Sequence, residues 1–272
     1  MKGPHTTAAA RRNRRSRQRE VPIPRDMGFF FDIDGTLVDF ADAPSKVRVD
    51  RALVRLLGRL RDAAGGAVAL ISGRSVADID RLFGPARFCV AGQHGAERRD
   101  AAGMLHRLGS PSARLREVGR KLERLAVSHP SLVLEDKGMN LALHYRRAPR
   151  LGSKVRAAVR KLARELGDAF EVQNGKMVIE IKPSGRDKGT AIAEFMREKP
   201  FRHRLPVFVG DDRTDEFGFR VVNRLGGLSV KVGKGRTAAR RRLPDTAAVR
   251  DWLAQYASAP SPARKRAGPQ SS

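Results

Sequence analysis

Four short runs of this chain bring carboxylates, a hydroxyl or an ammonium to the end of an apolar stretch or the start of a helix, with glycine beside them. In Phe29-Phe30-Phe31-Asp32-Ile33-Asp34-Gly35-Thr36, two acids stand two residues apart where an apolar run meets a glycine. Burying an unpartnered ion costs several kcal/mol, so close acids in an apolar frame point to a bound cation. Gly35 lets a backbone approach closely, and Thr36 offers a hydroxyl and an N–H to an anion. A second run, Leu70-Ile71-Ser72-Gly73-Arg74, ends in a hydroxyl and a glycine; Ser72 reads either as a ligand or as a helix N-cap. The third, Pro206-Val207-Phe208-Val209-Gly210-Asp211-Asp212-Arg213-Thr214-Asp215-Glu216, crowds acids that repel one another unless a hard cation is bound. Asp211 reads as a metal ligand. Asp212 and Asp215 read either as its neighbours or as solvated caps of a helix beginning near Thr214. In the fourth, Asp187-Lys188-Gly189, a lysine opens a helix, where the dipole disfavours positive charge unless an anion sits between.

Such groups need a rigid frame. Phe29–Ile33, an apolar run with one acid, and Ala67–Ile71, Phe88–Ala91, Val207–Val209 and Leu228–Val232 are short, mainly apolar runs bounded by glycine or proline, as expected of parallel strands buried on both faces. Between the first two, Val49, Leu53, Leu56, Leu57 and Leu60 recur at helical spacing. Acids at the carboxyl ends of such strands lie at the crevice where open parallel sheets bind ligands.

From 103 to 182 the rhythm changes. Leu115, Val118, Leu122 and Leu125 mark a helix, followed by strands at Leu132–Leu134 and Leu141–Tyr145 around a Lys137-Gly138 turn. Val155, Val159, Leu162 and Leu166 mark another helix, followed by strands at Phe170–Val172 and Met177–Ile181 around Asn174-Gly175. Helix-strand-strand twice over makes a small antiparallel sheet with helices on one face, inserted into the parallel-sheet domain. The division expected is a basic tail over 1–26, a core over 27–102 and 183–257, an inserted cap over 103–182 and a second tail over 258–272.

Composition sets the outer bounds. The 272 residues are 40% hydrophobic, enough for a real core, and the longest apolar runs fall far short of the roughly 20 residues that cross a bilayer. One cysteine, Cys89, forbids an internal disulfide and suits a reducing compartment. A signal peptide's apolar segment is missing from the start of the chain; a transit peptide remains an alternative. The net charge of +26 is carried largely by arginines scattered over helices, without the interleaved aromatics of a nucleic-acid platform.

Taken in order, Asp-x-Asp-Gly-Thr, Ser-Gly-Arg, Lys-Gly and Gly-Asp-Asp resemble the haloacid-dehalogenase superfamily of phosphatases. Four further stretches resemble its trehalose-6-phosphate phosphatase family: Gly92-Gln93-His94-Gly95-Ala96-Glu97; Glu135-Asp136-Lys137 with His144-Tyr145-Arg146; Gly175-Lys176 through Glu180 to Pro183; and Gly210 through Glu216. The likeness runs from about Gly28 to Leu253. It departs at Phe217, where the family usually has an acid, and at Arg240-Arg241-Arg242, where it usually has an aromatic.

The resemblance implies an α/β fold, a Rossmann-like parallel sheet with an inserted α+β cap. It implies an aspartyl-phosphate formed on Asp32, with Asp34 as acid and base, and Mg²⁺ held by Asp32, the Asp34 carbonyl and Asp211, with Asp212 and Asp215 nearby. Thr36, Ser72 and Lys188 would hold phosphoryl oxygens. Arg74, Glu135, Lys137, His144, Arg146, Lys176 and Glu180 would read the sugar, and His94 and Glu97 would serve the site or a hinge. The expected enzyme is a cytoplasmic monomer acting on trehalose 6-phosphate without membrane or nucleic-acid partners. Two alternatives stay open: a phosphatase for a sucrose- or mannose-type phosphate, and a basic nucleic-acid-binding protein whose arginine-rich tail does the binding.

Overall fold

The computed structural model describes residues 26–41, 46–84, 88–108, 112–175 and 177–257. Lys176 and both expected tails, apart from Asp26, lie outside the described residues. The main sheet is built from β1 (Met27–Phe31), β2 (Val68–Ile71), β3 (Cys89–Gly92), β4 (Glu97–Arg99), β5 (Leu105–Arg107), β10 (Leu205–Gly210), β11 (Leu228–Val232) and β12 (Arg241–Leu243). Its strand order is β12-β11-β10-β1-β2-β3-β4-β5. From β12 to β3 all neighbours are parallel, and β4 and β5 follow antiparallel.

Continuous hydrophobicity in β1 has the expected cause, since Phe29, Phe30 and Phe31 are all fully buried. Phe30 meets Phe195 and Phe201 on one face, and Phe29 meets Tyr256 on the other. Each such ring contributes roughly 1.5–3 kcal/mol by burial. Around the sheet run α1 (Arg51–Ala63), α2 (Val76–Phe83), α5 (Lys188–Phe195), α6 (Asp215–Arg224) and α7 (Thr246–Ala257); α1 packs on α7, and α5 on α6. No helix among the described residues is long and apolar enough to cross a membrane.

A second sheet, in the order β6-β7-β9-β8, is antiparallel throughout: β6 (Val133–Asp136), β7 (Leu141–His144), β8 (Phe170–Gly175) and β9 (Val178–Pro183). Helices α3 (Ala113–Val127) and α4 (Gly152–Arg164) cover one face, where Leu122 and Val159 bury against Leu143, Ile179 and Ile181 in a core separate from that of the first sheet.

Two boundaries differ from those expected. The β4–β5 hairpin belongs to the main sheet, so residue 103 falls inside it and the insertion starts beyond β5. Charged strands hide from a search for apolar runs, yet Glu97, Arg98 and Arg99 are buried here because each finds a partner. In the β8–β9 hairpin Asn174 pairs with Ile179 and Gly175 with Val178, so both belong to strand β8 instead of forming the turn expected at Asn174-Gly175. Register is set by the central strand β9, whose Ile179 and Ile181 must face the helices.

Candidate active site

Three parallel strands deliver the reactive groups side by side. Asp32 follows β1, Ser72 follows its neighbour β2, and Asp211 follows β10 on the other flank. The chain leaves β1 toward β2 and leaves β10 toward β11, in opposite directions, which opens the crevice between β1 and β10. Asp32, Asp211 and the fully buried Asp215 each offer an oxygen within 4.8 Å of the others. Gly35 makes this possible: its φ is 83°, and a Cβ there would lie 2.5 Å from Asp211 Oδ2.

Asp215 is therefore no solvated cap. Its Oδ2 accepts the Asp212 N–H at 2.7 Å and its Oδ1 accepts the Lys188 ammonium at 2.6 Å. Lys188, the first residue of α5, also reaches Asp32 Oδ1 at 2.8 Å. Two carboxylates thus balance the cation that the helix dipole disfavours. Burial would strip the Lys188 proton, but Asp215 and Asp32 outweigh it and hold the ammonium well above its ordinary range. Burial pushes Asp32 well above the usual carboxylate range; Lys188 opposes this, while Asp215 and Asp211 add to it. Asp211 is pushed up to about 6, by burial first and then by Asp215. An all-oxygen cluster of crowded acids without His or Cys fits a hard divalent cation.

Other assigned residues take partners the chain order does not reveal. Arg74 grips Asp34 with two prongs, Nε to Oδ2 and Nη2 to Oδ1, both at 2.7 Å. Asp34's carboxylate is therefore engaged by Arg74 and is not among the three acids whose oxygens cluster. Thr36 is fully buried and directs its hydroxyl at Asp211 Oδ1, 3.3 Å away. Ser72 is not a helix cap, because Ser75 caps α2; its Oγ accepts the Arg74 N–H at 3.2 Å. Glu97 resolves as structural, accepting the Val76 N–H at the start of α2.

The second sheet faces this cluster with the side that its helices leave bare. Its register aligns Glu135, Ala142, Glu180 and Gln173 in one row and Val133, His144, Val178 and Gly175 in the next. All eight line the cavity that Asp32, Asp34, Ser72, Arg74 and Lys188 line from below, and Asp212 and the exposed Arg146 join them. Glu180 is buried and accepts from Lys137 at 3.1 Å and Asn140 at 3.0 Å. Burial would raise its proton affinity, but Lys137 and His94 overcome that and hold it far below the usual range. His144 Nε2 lies 2.9 Å from Glu135 Oε2.

Asn140 and Gln173 escaped sequence reading. Asn140 follows a Lys137-Gly138 turn and reads as part of it, while Gln173 betrays itself only through its register with Glu180.

The family described as Trehalose-phosphatase matches residues 30–247. A trehalose-6-phosphate phosphatase of Escherichia coli (strain K12) is 46% identical over 231 residues, spanning 85% of this chain and 86% of that protein. A probable trehalose-phosphate phosphatase of Sinorhizobium fredii is 40% identical over 230 residues, spanning 84% and 86%. Among solved structures, a trehalose-6-phosphate phosphatase related protein superposes with a TM-score of 0.72 at 28% identity, covering 85% of this chain and 96% of that one.

Proposed function

The chain belongs to the trehalose-phosphatase family, and from that premise we propose that it is a Mg²⁺-dependent phosphatase converting trehalose 6-phosphate to trehalose and inorganic phosphate. One observation supports the reading above the rest: the acids and cation of the first sheet and the polar row of the second line a single cavity. A sugar phosphate meets both halves at once, phosphate on the first and sugar on the second. The cytoplasm, and action as a monomer, belong to the same proposal; the lone cysteine suits a reducing compartment.

Asp32 attacks phosphorus, and the bond to the sugar oxygen breaks as Asp34 gives that oxygen a proton. Asp34 then takes a proton from the water that hydrolyses the aspartyl-phosphate. Arg74 orients Asp34 for both roles through its two-pronged bond. Ser72 and Lys188 hold the equatorial phosphoryl oxygens, and Thr36 fixes Asp211. Asp32, Asp211 and the Asp34 carbonyl would hold Mg²⁺, with Asp215 and Asp212 beside them. When bound, the ion supplies positive charge against the transferring phosphoryl group. Glu135, Lys137, His144, Arg146, Lys176 and Glu180 present charged donors and acceptors to the disaccharide's hydroxyls.

Phosphate release from trehalose 6-phosphate, glucose 6-phosphate, sucrose 6-phosphate and a mannose phosphate, each with Mg²⁺ or with EDTA, tests this. Turnover is expected with trehalose 6-phosphate and Mg²⁺ alone; preference for another sugar phosphate, or equal turnover in EDTA, overturns it.

A further inference from the structure

Two consecutive non-glycine residues, Gln93 at φ 49° and His94 at φ 57°, occupy the left-handed backbone region just before Gly95 at 98°. Such conformations cost on the order of 1–3 kcal/mol each and persist where their surroundings over-determine them. Gln93 adds a second cost, since its side-chain amide is buried without a hydrogen-bond partner. What the turn holds is the loop after β2. The Gln93 N–H donates to the Arg74 carbonyl at 2.8 Å, and the His94 N–H to the Ser72 carbonyl at 3.0 Å.

The His94 side chain faces the other way. Its Nε2 lies 2.9 Å from Glu180 Oε2 on the second sheet, and because that carboxylate is ionised, the imidazole donates. Lys137 closes the circuit from the same sheet, donating to Glu180 Oε1 at 3.1 Å and to the Gly73 carbonyl at 2.9 Å. Gly73 packs so tightly on the imidazole that a Cβ would fall 2.8 Å from Nε2. The Ser72-Gly73-Arg74 loop is thus clasped by the His94 backbone from below and by Lys137 from above, and both clasps meet at Glu180.

We propose that His94 is a positioning residue that couples closure of the inserted unit onto the core to the geometry of the Ser72-Gly73-Arg74 loop. Seating of the sugar face then sets Ser72 against the phosphate, and sets Arg74 and therefore Asp34. The choice of test substrate rests on the trehalose 6-phosphate reading; the coupling itself does not.

Wild type, His94→Ala, His94→Gln, Glu180→Gln and the His94→Ala/Glu180→Gln pair are assayed on trehalose 6-phosphate and on p-nitrophenyl phosphate, which has no sugar to seat. His94→Ala is expected to lower kcat on the sugar phosphate about 30-fold with KM changed less than about threefold, and to slow the aryl ester far less. His94→Gln, whose amide still donates, recovers most of that kcat. The double variant falls no more than about twofold below the worse single one, the non-additivity expected of residues acting through one contact. A loss confined to KM, an equal loss on both substrates, or additive losses overturn the proposal. If His94→Ala does not fold, Lys137→Met cuts the Gly73 clasp from the other side, and its loss must again fall on kcat; a KM-only loss there overturns it too. Wild type inert on trehalose 6-phosphate but active on another sugar phosphate defeats only the substrate reading, and the same series on that compound then decides the coupling.

Discussion

Asp32, the proposed nucleophile, can attack phosphorus only as a carboxylate, yet it is buried beside Asp211 and Asp215, and the Lys188 ammonium is shared between Asp32 and Asp215. Asp32→Asn keeps the shape and removes the proposed nucleophile, so turnover should vanish while the chain still unfolds cooperatively from a folded state. Retention of even about a tenth of wild-type turnover, roughly 1.4 kcal/mol of barrier, refutes covalent catalysis here. Asp211 shows the cost of the crowding. Its carboxyl is raised to about 6 from 3.8, so its contribution favours the fold below about 3.8 and is lost as pH rises through 6. At about pH 7.5 the ionised group opposes folding by roughly 3 kcal/mol at most. In EDTA, Asp211→Asn should therefore melt above wild type near that pH, with the advantage shrinking as pH falls through 6 toward 4. Added Mg²⁺ should stabilise wild type and not the variant; a variant that melts lower in EDTA refutes the crowding. The acids were legible in sequence because an apolar strand ending in Asp-x-Asp has no inexpensive structural explanation. Arg74's grip on Asp34 was not, since the partners lie 40 residues apart in the chain. Nor was the burial of Asp215, because an acid at a helix start reads equally well as a solvated cap.

Elements followed the sequence where apolar residues decided them and escaped it where charges did. Strands β1, β2, β3 and β10 are continuous apolar runs, β11 keeps Leu228, Val230 and Val232 although Ser229 and Lys231 interrupt it, and the helical spacing of Val49 to Leu60 marks α1. β4, β5 and β12 offer no such run, being Glu97-Arg98-Arg99, Leu105-His106-Arg107 and Arg241-Arg242-Leu243. What holds β4 lies elsewhere in the chain. Arg98 pairs with Glu198 and sits over the Phe195 ring, and Arg99 forks onto Asp80 at 2.7 Å by each prong while also donating to the Phe88 carbonyl. Arg99→Met should cost about 1–3 kcal/mol of stability, because it leaves the buried Phe88 carbonyl short of a donor. Denaturant unfolding measures that loss, and KM for the sugar phosphate should stay put because β4 points no group into the cavity. An unchanged unfolding midpoint shows that Arg99 is dispensable to the strand.

At the scale of the molecule, two separately packed cores meet along one cavity, and the chain that carries them has a net charge of +26. Eight lysines and arginines precede Met27, and Arg264, Lys265 and Arg266 stand near the other end, but together these supply under half of the excess. The remainder lies between them, on the stretch that folds into the two sheets and their helices. A field of this sign draws a dianionic sugar phosphate toward the cavity and raises its on-rate, and salt weakens it within about 8 Å at physiological ionic strength. Encounter-limited kcat/KM should therefore fall as salt rises, for the full chain and for a chain lacking residues 1–25 alike. The deleted stretch has no apolar pattern to bury and ends in Val21-Pro22-Ile23-Pro24, so its loss should leave the melting temperature and Mg²⁺-dependent turnover at high salt unchanged. At low salt the shortened chain should show a modestly lower kcat/KM, a gap that closes as salt is added. A cooperative drop in melting temperature on deletion defeats this, because it means that the stretch packs on the core and that the folded unit starts before Asp26.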